Sequence, residues 1–320
     1  MKKIMILVVA GIVFSGVLIW QRRVKTSAPS TRYTIGIVQT ASHPALDAVR
    51  EGFIEEVGGN LGMDISFVVQ NGQGAVSQLH AVAQQFHAQR KIDVIFAIAT
   101  PAAQAVSAVE KQKPVIVAAV TGPEALGVVY EGTNVCGVKD MINVAAEIDM
   151  LQQLLPTARS VGLLYTSGET NSLIMAKKMR EEIEKRGLSA VDFAMSSEAE
   201  VQPVTDVACR KVDVLLAPTD NTIASTIAVT SMIAQKYKKP FIVSDDMLVA
   251  AGPLAARGVD YRASGKQAGK IACELLMQGK KPSDMQFEEG DTRDIYLNKK
   301  TANLLDISVP ETLQDVVFVE

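Results

Sequence analysis

A ten-residue stretch of this chain occurs twice. Lys91-Ile92-Asp93-Val94-Ile95-Phe96-Ala97-Ile98-Ala99-Thr100 returns as Lys211-Val212-Asp213-Val214-Leu215-Leu216-Ala217-Pro218-Thr219-Asp220. The shift is about 120 residues, close to one ordinary domain. The surroundings repeat as well. Lys113-Pro114-Val115-Ile116-Val117 answers Lys239-Pro240-Phe241-Ile242-Val243, and Ile35-Gly36-Ile37-Val38 answers Val161-Gly162-Leu163-Leu164. Two similar lobes side by side leave a cleft between them, and clefts between domains are where small molecules bind.

Each copy alternates short apolar, β-branched runs with longer stretches of helical spacing. In the first copy the pattern predicts strands at Thr34–Gln39, Ile65–Gln70, Val94–Ala99 and Val115–Val120, and helices at Pro44–Val57, Ser77–Gln89 and Pro101–Lys111. In the second it predicts strands at Val161–Tyr165, Ala190–Ala194, Val214–Ala217 and Phe241–Ser244, and helices at Ser172–Arg186, Val201–Cys209 and Asn221–Tyr237. Nearly continuous apolar strands alternating with helices imply parallel sheets covered on both faces. Right-handed crossovers then make each lobe a doubly wound α/β fold. In such folds ligands sit beyond the carboxyl ends of the strands.

The first 32 residues stand apart. Lys2 and Lys3 precede an apolar run from Ile4 to Trp20, and Arg22, Arg23 and Lys25 follow it. This reads as an export signal or membrane anchor. A retained anchor is favoured, because the run exceeds a usual signal-peptide core of about 7–15 residues and the exit Thr26-Ser27-Ala28 is followed by Pro29. The net charge of −3 offers no basic surface for nucleic acid. Cys136, Cys209 and Cys273 have no metal-ligand or C-x-x-C spacing and read as small buried hydrophobes.

The strand-end rule selects the residues to inspect. The first copy offers Gln39-Thr40-Ala41-Ser42, Thr100-Pro101-Ala102 and Thr121-Gly122-Pro123. The second offers Ser167 to Ser172, Thr219-Asp220-Asn221-Thr222 and Ser244-Asp245-Asp246. Thr100 before Pro101 reads as a helix N-cap with Pro at the first position, and Asn171 or Ser172 and Asp220 open helices in the same way. Such starts hold a carboxylate without a formal cation. Glu169, Asp220, Asp245 and Asp246 could instead hold an ammonium. Both kinds of group around one cleft suit a zwitterion such as an amino acid. Taken singly, each residue could equally do no more than cap its own helix. Tyr165, and less surely Phe96, are the aromatic candidates for stacking on a ligand ring. No nucleotide cofactor is expected, since Gly72-Gln73-Gly74 lacks the third glycine of a dinucleotide loop. The histidines are His43, His80 and His87, and the second copy has none, which argues against a Ser–His triad.

Several blocks together resemble a known family. Ile35-Gly36-Ile37-Val38-Gln39 with His43-Pro44-Ala45-Leu46-Asp47-Ala48, the block from Asp93 to Gln104, Glu169-Thr170-Asn171-Ser172, Pro218-Thr219-Asp220-Asn221-Thr222, Gly258-Val259-Asp260-Tyr261 and Asn298-Lys299-Lys300-Thr301-Ala302 are similar, in order, to blocks of the ABC-transporter substrate-binding proteins. The resemblance covers about residues 33–310. It implies a type I periplasmic-binding fold, with three crossovers between two hinged lobes. Those lobes would be 33–138 plus 249–281 and 139–248 plus 282–320. It implies ligand contacts at Gln39, Ala99, Thr100, Thr121, Glu169, Asn171, Ser172, Asp220 and Asp245 or Asp246. Family members take up aromatic amino acids such as tryptophan and tyrosine. Two departures stand out: Thr121-Gly122-Pro123 where the family often has Thr-Asp-Pro, and Thr40-Ala41 where it often has an aromatic.

The resulting expectation is a non-catalytic receptor outside the cytoplasmic membrane, tethered by its N-terminus. It would close on a small ligand and deliver it to a membrane permease driven by an ATPase. A ligand sensor acting on a signalling partner is the alternative. An enzyme is disfavoured by the missing nucleophile–base pair. A DNA-binding repressor of related fold is disfavoured because an apolar run stands where a helix-turn-helix would be needed.

Overall fold

A computed structural model describes residues 33–61, 65–127, 133–290 and 292–320. The apolar run Ile4–Trp20 lies outside the described residues. No described helix is long and apolar enough to cross a membrane.

The chain alternates as its periodicity predicts. The first lobe runs β1 (Tyr33–Gln39), α1 (Pro44–Leu61), β2 (Ile65–Asn71), α2 (Val76–Ala88), β3 (Val94–Ile98), α3 (Thr100–Val109), β4 (Val115–Val120), the short α4 (Pro123–Leu126) and β5 (Val135–Lys139). The second runs α5 (Val144–Leu154), β6 (Ser160–Thr166), α6 (Thr170–Lys185), β7 (Ser189–Met195), α7 (Glu198–Lys211), β8 (Val214–Ala217), α8 (Asn221–Ser225), α9 (Ile227–Lys236) and β9 (Phe241–Val243). A 3-10 turn (Asp246–Ala251), β10 (Ala255–Val259), α10 (Tyr261–Gln278), β11 (Glu288–Glu289), β12 (Thr292–Asn298), α11 (Lys299–Leu304) and β13 (Val316–Val319) complete the chain. The helix expected over Asn221–Tyr237 is broken at Thr226, which separates α8 from α9. Pro203 is tolerated inside α7, one turn from its start.

The described strands form two sheets, ordered β11-β5-β4-β3-β1-β2 and β13-β12-β10-β9-β8-β6-β7. Neighbours in the first are parallel throughout. In the second, β12 pairs antiparallel with β10 and parallel with β13. Strands β3, β4 and β8 are buried at every position, as parallel strands covered on both faces must be.

Two strands sit differently from the expected division into 33–138 plus 249–281 and 139–248 plus 282–320. β10 belongs to the second sheet, because it pairs with β9 and β12. β11 belongs to the first, because it pairs with β5. The helix between them, α10, returns to the first lobe and packs on α1 at backbone distance. A Cβ on Gly52 would lie 2.2 Å from the Arg262 carbonyl oxygen, and one on Gly265 would lie 2.1 Å from that of Val49. Only glycine allows that approach. The chain therefore crosses between sheets after β5, after β10 and after β11. Gly290 links two crossings directly, its N–H donating to the Lys139 carbonyl at 2.8 Å.

Cys136 and Cys209 are buried free thiols, as expected of small hydrophobes. Burial pushes them up to about 12 and about 11.

Candidate functional site

The carboxyl ends of both sheets face one another across a seam. At its heart is a chamber of about 30 Å³, lined among others by His43, Ala99, Ala119, Asp140, Asn171 and Asp220. Asn221, Asp245 and Tyr261 line it too. That volume suits about one water molecule. An open cleft of about 580 Å³ lies beside it, and Asn221 lines both. The cleft draws Gln73, His80 and Gln104 from the first lobe and Glu169, Ser197 and Thr222 from the second. Two hydrogen bonds cross the seam: His43 Nε2 with Asn221 Oδ1 at 3.3 Å, and Gln104 Nε2 to Thr170 Oγ1 at 3.1 Å.

The first-lobe rim is built at the ends of β3 and β4. Ala99 has φ 74° and ψ 158°, and Ala119 has φ 55°. Both are conformations that L-residues rarely adopt, and such strain gathers at ligand sites. Ala99, not Thr100, takes the cap position of α3. Thr100 is thereby freed from capping, and its buried Oγ1 has no hydrogen-bond partner. Thr121 Oγ1, just past β4, is buried and unpartnered too.

The second-lobe rim is different. The Asp220 carboxylate accepts hydrogen bonds from Thr166 N (2.6 Å), Thr166 Oγ1 (3.0 Å), Ile223 N (2.9 Å) and the Ser172 hydroxyl. Glu169 accepts from Asn221 N (3.1 Å), Thr222 N (3.0 Å), Thr222 Oγ1 (3.0 Å) and the Asn221 amide. These two carboxylates and Ser172, expected as ligand contacts, are occupied in fastening the starts of α6 and α8 to β6. Burial and then the Glu169 charge push Asp220 up to about 7. Asn171 is only half occupied. Its amide donates to the Thr219 carbonyl at 2.9 Å, while its buried Oδ1 has no partner.

Gln39 is likewise turned into its own lobe. It donates to the Ala41 carbonyl at 2.7 Å and to Asp47 at 3.0 Å, and accepts from Arg50 at 2.6 Å. Its role here is to pin the loop after β1. The two aromatic candidates lie elsewhere. Phe96 stacks on Phe53 in the first-lobe core, with ring centroids 3.9 Å apart. Tyr165 packs against the large apolar core and lines neither the chamber nor the cleft, and burial holds its hydroxyl up. Of the acidic pair, Asp245 lines the chamber while Asp246 packs over Gly258. Adjacent residues point apart, so one of the two faces the seam.

Sequence reasoning missed His43, Asp140 and Tyr261 as lining residues, and placed Asn221 at a strand end without naming it as a contact. Asp140 is 6% exposed and His43 is 7% exposed. Asp140 Oδ1 and His43 Nδ1 have no partners, while Tyr261 Oη donates to Asp140 Oδ2 at a long 3.4 Å. Asp140 and Tyr261 follow β5 and β10, the strands from which the chain leaves one sheet for the other. The strand-end rule applied to those two strands would have found both.

The electrostatics are one-sided. Burial pushes Asp140 up to about 6, with the Tyr261 hydrogen bond opposing. Asp245 is raised well above the carboxylate range by burial, then by Asp246 and Asp140. Burial keeps His43 below its ordinary value, so it sits neutral. No Lys or Arg lines the chamber. Among the described residues no group of His, Cys, Asp and Glu is arranged to hold a metal ion. The chamber thus gathers the raised carboxyls of Asp140 and Asp245 with the unpartnered His43 Nδ1 and Asn171 Oδ1, and no cation. Each buried polar atom left unpaired costs about 1–3 kcal/mol.

A hinged two-lobe α/β fold with a polar seam at its strand ends defines the class of interlobe binding proteins. The chain belongs to the ABC transporter substrate binding protein family, whose model matches residues 34–318. It is 32% identical to the tyrosine-binding protein of Clostridioides difficile, over 96% of this chain and 93% of that one. It is similar to the ABC domain in complex with L-Trp from Streptococcus pneumonia, at 31% identity with a TM-score of 0.85, covering 89% of this chain and 100% of that one. It is also similar to the ligand-free, open structure of a substrate binding protein with adhesive properties from Clostridium difficile, at 33% identity over 90% and 99% of the two chains, but with a TM-score of 0.67. At nearly the same identity, this chain superposes more closely on the L-Trp complex than on the ligand-free, open structure.

Proposed function

We propose that this protein is the extracytoplasmic receptor of an ABC importer and captures an amino acid between its lobes, an aromatic one such as tryptophan or tyrosine being favoured. The observation that carries the reading is the set of buried, unpartnered polar atoms lining one chamber, His43 Nδ1, Asp140 Oδ1 and Asn171 Oδ1, with the unpartnered hydroxyls of Thr100 and Thr121 one and two residues beyond the lining Ala99 and Ala119. They come from both lobes and from a crossover. Contacts made to both sides at once are what stabilise closure. The hydroxyls and the α3 start suit a carboxylate, and the acids suit an ammonium. The chamber is small, so lobe separation admits the guest, and its side chain points toward the adjoining 580 Å³ cleft. That size is within the range of small-molecule sites. The relatives' ligands support the class of guest.

The closed form docks on a permease, and the N-terminal apolar run keeps the receptor at the membrane. Intact-mass measurement of the exported protein tests the tether, since a new N-terminus near Pro29 means cleavage. Calorimetric titration of the purified protein with the twenty amino acids tests the ligand. Saturable heat with L-tryptophan or L-tyrosine is expected, and silence with all twenty rejects an amino-acid receptor.

A further inference from the structure

We infer that the ligand's ammonium is held at the hinge, between the carboxyl groups of Asp140 and Asp245 with the Tyr261 hydroxyl as a third contact, so that capture expels a proton. This rests on the amino-acid reading above and names which residues take one end of the guest.

The hinge is composed of the three crossings. Asp140 follows β5 in the first, and Tyr261 opens α10 just after the second. Gly290, beside the third, places its N–H on the Lys139 carbonyl, and a Cβ there would touch Val259 and Ser264. The crossings are therefore in mutual contact around Asp140. Asp140 Oδ1 is buried and unpartnered, and faces the chamber. From the second lobe, Asp245 faces the same chamber and spends Oδ1 on the Met247 N–H at 3.0 Å. The other charged or titratable groups around it are His43 at the start of α1, Asp246 in the 3-10 turn, Asp220 before α8, and Tyr261 itself. Lys139 is turned to Glu289 in an ion pair. A pocket with acids, one neutral imidazole and no cation lacks one positive charge. An ammonium supplies it and donates its three N–H groups to the unpartnered Asp140 Oδ1, the Asp245 carboxyl and the Tyr261 oxygen.

Without guest, burial raises Asp140 to about 6, and burial with the Asp246 and Asp140 charges raises Asp245 well above its ordinary value, so protonated forms are favoured as pH falls. An arriving ammonium favours the carboxylates. The O–H bond of a protonated carboxyl breaks, its proton goes to solvent, and the charge in the chamber stays balanced. Affinity therefore rises with pH through the range in which these groups are protonated.

Titration calorimetry with L-tryptophan and L-tyrosine, in phosphate and in imidazole at pH 6, reads the proton directly, because the two buffers take it up with different heats. We expect net proton release and an affinity that falls up to about tenfold per pH unit below pH 6. We expect Asp140→Asn to lose about 10- to 100-fold in affinity and Tyr261→Phe to lose less. Asp140→Asn should melt no lower than wild type at pH 8 without ligand, so its lost affinity is not lost folding. Tryptamine should bind and indole-3-propionate should not. Equal heats in both buffers with affinity of Asp140→Asn within twofold, or indole-3-propionate binding as tightly as tryptophan, would overturn the assignment while leaving the receptor reading intact. No heat from wild type with either amino acid or with tryptamine overturns both.

Discussion

The two rims of the seam are built from the same kinds of residue at the same places in a duplicated fold, yet they are in opposite states. On the first lobe, Thr100 and Thr121 are buried with free hydroxyl oxygens, and Ala99 and Ala119 carry strained backbone. On the second, Asp220 and Glu169 each accept four hydrogen bonds or more from their own lobe. A polar residue at a strand end is therefore not a ligand contact by type. What distinguishes the two uses is whether its hydrogen-bonding capacity is already filled.

The largest effect should come from the filled rim. Asp220→Ala leaves two backbone N–H groups and two hydroxyls without their acceptor, and should lower stability by roughly 3–5 kcal/mol in a denaturant titration. The affinity of the folded fraction should stay within about threefold. Undiminished stability with lost binding would show that the second rim faces the guest after all.

Next comes pH. Asp140 is pushed up to about 6, and Glu147, buried against the Ser244 hydroxyl, up to about 8. A carboxyl whose folded value lies above its unfolded one favours the native state most at pH below about 4. That contribution is lost as pH rises toward 6 for Asp140 and toward 8 for Glu147. These two acids should cost the ligand-free protein on the order of 5 kcal/mol between pH 5 and pH 8, about 4 from Glu147 and about 1 from Asp140, since holding one extra proton in the folded state costs ~1.4 kcal/mol for each pH unit climbed. Bound amino acid should shrink the Asp140 share only. A melting temperature that climbs with pH in this window contradicts the buried-acid picture.

The open rim should respond more mildly and in the other sense. Thr100→Val and Thr121→Val remove unpartnered oxygens, so ligand-free stability should hold or rise slightly, while affinity falls by about 1–2 kcal/mol for each. Destabilisation without a change in affinity would assign both hydroxyls to the scaffold. Smallest of all, Tyr165→Phe should leave affinity within about twofold, because Tyr165 lines neither the chamber nor the cleft. A tenfold loss would return it to the seam.

The architecture was largely readable from periodicity and the internal repeat. Strands β3, β4 and β8 are continuous apolar runs because both their faces are covered, and that pattern survives in the sequence. The C-terminal exchanges were less legible. β11 is two residues long, and its partner is set by a crossing, not by its own composition. Within the site, type and spacing located the rims but not their state. Asp220 and Glu169 are filled by donors about fifty residues away, such as Thr166 and Asn221, and no local signal announces that. Asp140 was hidden for another reason. No strand was expected over Val135–Lys139, so the strand-end rule had no end there to inspect.

The glycine-packed return of α10 onto α1 has a consequence for how the polypeptide matures. The first lobe waits for a helix ending at Gln278 and a strand ending at Glu289, and the second waits for β13, which ends at Val319. A nascent chain therefore holds two unfinished sheets until Glu289 has emerged, and one until Val319. Neither lobe can be closed by its own contiguous half of the polypeptide.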